Sequence, residues 1–391
     1  MHSKLTPKLA AELANGAYEL LDGSKSYQTL GTPHVWQHVD FQQRVTARTG
    51  GYILNRETGF AAMGIGKGRY GGDAIITIRG TQLTSGHDWA TNAQIGLTGS
   101  SGGQTVHAGF CRAFASMRPQ FEAFLAEWRT SHPGRVVHCV GHSLGGALAT
   151  LLADWIGSSP WRQPVYLYTF GAPRVGLGGF ALANTSRVNA NHRCTHGADP
   201  VPKVPLWPFI HSPFKGTEYR LDSAHGGFSK LAHLMDPDAG AVPGYLRTAN
   251  KNSWDALQRQ ASRNLETATK LDYAKRHQAS FNEFWLDRLS AALITLLKKT
   301  GHFGVFVAQS AIGVGATFYD LMAQTLAKIA EAATSAADEV RGLLGHMLVF
   351  AGAAVTTVKD LTYATIRAIF DLMLRRLYEG VREALKRTWP N

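Results

Sequence analysis

The sequence predicts a mainly parallel α/β sheet covered by helices, followed by an all-helical C-terminal region. Two observations carry this. Through the first 250 residues, short β-branched apolar runs alternate with helical patterns, as in strand–helix–strand units. Beyond that point the turn formers thin out: 14 of 15 prolines lie at or before Pro243, and only 8 of 41 glycines follow residue 250. At 391 residues, with 45% hydrophobic and 17% charged, the chain suits one large or two ordinary domains and excludes disordered or fibrous classes. We expect an α/β domain over 1–250 and a helical domain over 251–391, with the polar stretch Tyr245 to Asn252 as linker.

The elements follow in order. Thr6-Pro7 is an N-cap and first-turn pair that opens a helix to about Leu21. Gly51 to Leu54 and Phe60 to Ile65 flank turn residues Asn55 to Gly59 and read as a hairpin. Asp73 to Arg79 (DAIITIR) is a β-branched strand, and Phe121 to Trp128 reads as helix. Val136 to Val140 is a short apolar strand, followed by the apolar helix Leu144 to Ile156. Val165 to Phe170 is the next strand, and Arg193 to Thr195 sits in a weaker one.

Chemistry is concentrated at Gly141-His142-Ser143-Leu144-Gly145-Gly146. A bare G-x-S-x-G means little, but here a strand precedes it and a helix follows, as a nucleophile elbow requires. The sharp turn exposes the Ser143 hydroxyl, and glycines two before and two after avoid collisions across it. A serine needs a histidine base, itself oriented by a carboxylate. Asp199, in HRCTHGADPVPKVP, sits just after a late strand, where the acid belongs. His211 lies too close to Asp199 to come from a separate loop and reads as structural. On spacing, His225 and His233 both remain as the base. The backbone N–H of Leu144, next after the nucleophile, is one oxyanion donor.

Six ordered segments carry a resemblance. They are IRGT (78–81), DWATN (88–92), VHAGF (106–110), GHSLGGALA (141–149), YTFGAPRVG (168–176) and DPVPKVP (199–205). Together they resemble the class 3 lipase family, the fungal-type triacylglycerol lipases and their bacterial relatives. The resemblance implies an α/β-hydrolase fold, ester hydrolysis on lipids, and neither cofactor nor metal. It carries over Ser143 as nucleophile, Asp199 as triad acid and Thr81 as the other oxyanion donor. Bacterial relatives place the base in His-x-Met followed by a tyrosine, which favours His233 (His233-Leu234-Met235, then Tyr245) over His225. Leu83 to Gln104 occupies the lid position, and its Gly/Ser-rich sequence implies a small cover.

Outside the resemblance, Phe281, Phe284, Trp285, Leu289, Ala292, Leu293 and Leu296 keep a helical period, with Lys298-Lys299 at the helix end. Ile366, Phe370, Met373, Leu377, Val381 and Leu385 form a second stripe, opposed by Arg367, Arg375, Arg376, Arg382, Lys386 and Arg387. Residues 300–319 and 342–358 lack Asp, Glu, Lys and Arg and approach bilayer-spanning length. Three readings of 251–391 stay open: a soluble bundle, a membrane-associating domain, and a module for a protein partner. A net charge of +12 and a pI near 9.7 favour an anionic lipid surface. Nucleic acid is disfavoured, since no binding motif appears and basic residues interleave with acidic ones. The expected activity is a serine lipase, with membrane phospholipids as substrate (phospholipase A type) and neutral glycerides or small esters as the alternative.

Cys111, Cys139 and Cys194 are odd in number and lack metal-ligand spacing, so a reducing compartment is expected. Lys4, Lys8 and Glu12 fall where a signal peptide needs an apolar run. The chain is therefore expected to be made in the cytoplasm without a signal peptide. Its layout also resembles bacterial lipase effectors, which implies export by a dedicated secretion system and action at a membrane.

Overall fold

A computed structural model of the chain describes all residues except 1, 23–24, 50–55, 81–95, 162, 223–225, 237–242, 251–252, 261–267, 313–317 and 387–391. Helix α1 (Pro7–Gly16) is capped by Thr6, whose side chain accepts from Leu9 N, and a 3-10 turn extends it to Leu21. After α2 (Pro33–His38), β1 (Val39–Thr49) pairs antiparallel with β2 (Arg56–Gly66). The hairpin's first arm thus precedes the expected one, and Gly51–Leu54 lies outside the described residues. Bulges at Phe41/Gln43 and Val45/Thr46 interrupt the apolar alternation of β1, which is why its pattern is hard to read.

Next come β3 (Ala74–Ile78), β4 (Leu97–Gly99), β5 (Thr105–His107) and α3 (Ala108–Ser131). Helix α3 extends well beyond the expected 121–128. It accommodates Pro119, a residue that normally argues for a break, and His107 caps it through Nδ1. The nucleophile unit is β6 (Val137–His142) and α4 (Leu144–Ser158), followed by β7 (Val165–Phe170), β8 (Gly176–Leu177), α5 (Gly178–Arg187) and β9 (Ala190–Thr195). Strands β10 (Phe209–Ile210) and β11 (Glu218–Arg220) complete this part.

Among the described residues the main sheet has seven strands in the order β1-β2-β3-β6-β7-β9-β11, parallel from β3 onward. Successive residues alternate between two cores. Ala74, Ile76 and Ile78 join the side with α3 and α4, while Ile75 joins the side with α1. Period-2 burial on both faces is what a central parallel strand requires.

Residues Tyr245–Asn250 form α6, packed on α1, rather than a linker. Beyond α7 (Trp254–Gln260) lie α8 (Glu283–Lys299), α9 (Phe303–Ile312), α10 (Phe318–Ala332), α11 (Thr334–Phe350) and α12 (Tyr363–Lys386). Every apolar residue of the α12 stripe is buried, whereas Phe284, expected in the α8 stripe, is 61% exposed. Arg387 lies outside the described residues. The first charge-free stretch is divided between α9 and α10, with 313–317 outside the described residues, and the second ends as helix at Phe350. Among the described residues no helix is long and apolar enough to cross a membrane. Helices α8 to α12 share one apolar core with α3, α4 and the residues Val201, Val204, Leu206 and Trp207.

Candidate active site

Ser143 stands between the end of β6 and the first turn of α4, with φ 56° and ψ −131°. A non-glycine residue there is strained, and the crossing of strand and helix holds it. The flanking glycines are sterically required. A Cβ on Gly141 would collide with the Gly145 backbone, and one on Gly145 with the Ile78 carbonyl. Leu144 opens α4, so its backbone N–H lies in the first turn, where it has no intrahelical acceptor.

The three expected triad residues meet. His233 Nε2 accepts from Ser143 Oγ at 3.0 Å, and His233 Nδ1 donates to Asp199 Oδ2 at 2.8 Å. All three are buried, Ser143 at 2% exposure. His233 ends the 3-10 turn Lys230–His233, while Asp199 follows β9 and accepts Val201 N on Oδ1 at 2.9 Å. His211 donates through Nε2 to the Pro202 carbonyl at 2.6 Å, a bond to its own neighbourhood that fits a structural role. His225, the alternative base, lies outside the described residues, as do Thr81, the DWATN segment and most of the lid position. Arg79 sits just before Thr81. It is buried over the Phe60 ring, and its guanidinium donates to the carbonyls of Gly59 (2.6 Å) and Gly80 (2.7 Å). Burial lowers its pKa to about 10.

Four further residues surround the triad. Tyr245 donates its hydroxyl to Asp199 Oδ2 at 2.7 Å and accepts from His196 N at 3.0 Å. Burial, and then the Asp199 charge, push the phenol well above its usual pKa, so it is a proton donor at every working pH. The His-x-Met-tyrosine pattern pointed to this tyrosine, although it lies ten positions after Met235. The chain closes that distance by returning on itself: Tyr245 N donates to Leu234 O and Leu246 N to Met235 O. His196 stacks on the Tyr245 ring, with centroids 3.9 Å apart, and its Nδ1 donates to Ala232 O at 2.8 Å. His142 donates through Nε2 to His233 O at 2.8 Å and accepts from Tyr18 through Nδ1 at 2.7 Å. Burial holds its pKa well below 6.5, so the imidazole is neutral. His142 lies inside the elbow motif, whereas Tyr18 and His196 give no local signal because their partners are distant in sequence.

Residues 75–209 match the family model for class 3 lipases. This part of the chain is similar to the class 3 lipases. The secreted mono- and diacylglycerol lipase 1 of Fusarium solani is 32% identical over 176 residues, 44% of this chain and 50% of that protein. A secreted mono- and diacylglycerol lipase A from Penicillium cyclopium is 31% identical, covering 43% of this chain and 50% of its own length. The chain thus spans about half the length of the curated relatives it matches. Among solved structures, the triacylglyceride lipase of Rhizomucor miehei is 21% identical, covering 55% of this chain and 78% of that one at a TM-score of 0.45. The expectation of a cytoplasmic product is overturned by the two relatives, which are both named as secreted lipases. The lipase family match ends near residue 209, and α8 to α12 lie outside it.

Proposed function

We propose that this chain is a serine lipase that hydrolyses carboxylic esters of glycerolipids through Ser143, His233 and Asp199. The observation that carries the reading is the unbroken relay Asp199–His233–Ser143 at 2.8 and 3.0 Å on a strained elbow. Ser143 Oγ attacks the acyl carbonyl while its proton passes to His233 Nε2. The amides of Leu144 and Thr81 receive the oxyanion. The imidazolium then protonates the departing alcohol, and water activated by the same nitrogen releases the fatty acid. Acylglycerols are the favoured substrate, since mono- and diacylglycerol lipases are the relatives. Phospholipids are a second reading, favoured by the +12 charge, which suits an anionic lipid surface as the partner.

Fatty-acid release should be measured on vesicles carrying diacylglycerol and on vesicles of phosphatidylglycerol alone. Release from the first set supports the acylglycerol reading, and release from the second supports the phospholipid one. Ser143→Ala and His233→Ala should each lower turnover on a short-chain nitrophenyl ester on the order of 10⁴-fold or more while remaining folded. A folded Ser143→Ala protein with most of its activity would sink the assignment.

A further inference from the structure

The loops that carry Asp199 and His233 both end on the same short stretch of the helical region, Phe281-Asn282-Glu283, at the start of α8. Consider the acid loop first. Two hydrogen bonds hold the turn from Asp199 to Lys203: Val201 N donates to the side-chain Asp199 Oδ1 at 2.9 Å, and Lys203 N to the backbone Pro200 O at 3.1 Å. Lys203 is buried, and its ammonium is held by Glu283 at 2.7 Å and Asp287 at 3.3 Å. The other oxygen of Glu283 pairs with Arg220 at the end of β11. Burial alone would lower the Lys203 pKa, but the carboxylates of Asp287, Glu218 and Glu283 outweigh it and keep the amine charged. A charge buried this way is stable only while its partners stay in place.

The base loop is fastened at Phe228, five residues before His233. Phe228 N donates to Phe281 O at 3.2 Å, and the two rings meet edge to face at 5.0 Å. Phe281 is itself seated by Phe350 of α11 at 5.1 Å and by the Arg376 guanidinium of α12 at 4.7 Å. From Phe228 the chain runs through Ser229, whose N–H donates to Ala198 O at 2.8 Å, into the turn Lys230–His233, which packs on α12. The acid and base loops are thus tied to each other and to one helix start.

We propose that Phe281 and Glu283 are positioning residues for the triad, and that the helical region is a working part of the catalytic framework. The proposal rests on the hydrolase reading. Neither residue touches Ser143, His233 or Asp199. Each fixes the loop from which one triad member projects, and small displacements of a catalytic group are enough to slow turnover.

The test uses full-length protein with Phe281→Ala and Glu283→Gln. Active serines are counted with a nitrophenyl phosphonate, which releases one nitrophenol per reactive Ser143, and kcat per site and KM are measured on a soluble short-chain ester. The expected result is kcat per active site lowered about ten-fold or more with KM within two-fold. An unchanged kcat per site overturns the proposal, even where fewer sites are active, because that is a purely structural effect. A raised KM with unchanged kcat overturns it too. Should Phe281→Ala fail to fold, Phe281→Met and Glu283→Gln decide on the same readouts. A wild-type protein that neither reacts with the phosphonate nor turns over ester would instead sink the hydrolase reading, an outcome distinguishable from this one.

Discussion

At the scale of single residues, the site is a set of buried polar groups that satisfy one another. Asp199 has both oxygens engaged, by His233, Tyr245 and the Val201 amide. A hydrogen bond to a buried charged group contributes about 1.5–3 kcal/mol, and a lost donor leaves the carboxylate partly unsatisfied. Tyr245→Phe keeps the ring stacked on His196 and removes only the hydroxyl, so stability should fall by about 1.5–3 kcal/mol in urea unfolding. Turnover should survive better than in His233→Ala, since the imidazole keeps its Nδ1 contact. An unchanged unfolding midpoint would mean that the hydroxyl does not support Asp199. Spacing left His225 and His233 open and only the family resemblance favoured His233, whereas Ser143 and Asp199 were legible because the elbow has a fixed spacing and the acid follows a strand. Tyr18 and His196 were not, because their contacts join residues 124 and 49 positions apart respectively, beyond any local pattern.

At the scale of elements, the strongest sequence signals came from parts that are uniform along their length. The β-branched β3, the glycine-rich elbow with α4, and the Thr6-Pro7 start of α1 all appear where expected. Element ends and interruptions were harder: bulges disguised β1, and Pro119 hid most of α3. His107 caps α3 by accepting from Gly109 N at 3.0 Å and Phe110 N at 3.4 Å, which requires a neutral imidazole. Burial, assisted by Arg112, lowers its pKa to about 4. The unfolded chain, with a histidine near 6.5, therefore binds more protons between about pH 6.5 and pH 4. Stability is present above pH 6.5 and declines as pH falls toward 4, at up to about 1.4 kcal/mol per pH unit from this group. His107→Asn keeps an N-cap acceptor and removes the titration, so its urea midpoint should fall less steeply than wild type between pH 6.5 and 4.5. Parallel slopes for the two proteins would rule out His107 as a contributor.

At the scale of the whole molecule, the composition shift at residue 250 predicted the helical region but not how it joins the rest. Its apolar stripes gave each helix a buried face, while the partner of that face is a matter of tertiary packing. Trp207, eight residues beyond Asp199, stacks on Phe306 at 5.2 Å and Phe303 at 5.8 Å of α9. Leu206 and Trp207 also line a small apolar cavity with Leu289, Leu293, Met322 and Met373. Ending the chain at Asn250 would expose this surface and leave the Lys203 ammonium without Glu283 and Asp287. Exposed apolar patches drive association, and a buried cation stripped of its partners destabilises its loop. A 1–250 fragment should therefore elute as aggregate on size exclusion, bind a dye that reports exposed apolar surface, and lack the cooperative unfolding of the full chain. Ester turnover per mole should fall at least as far as in Glu283→Gln, because both triad loops lose their fastening. A monomeric fragment with a sharp unfolding transition and full turnover on a soluble ester would show instead that the helices are an appendage, and that the triad keeps its geometry without them.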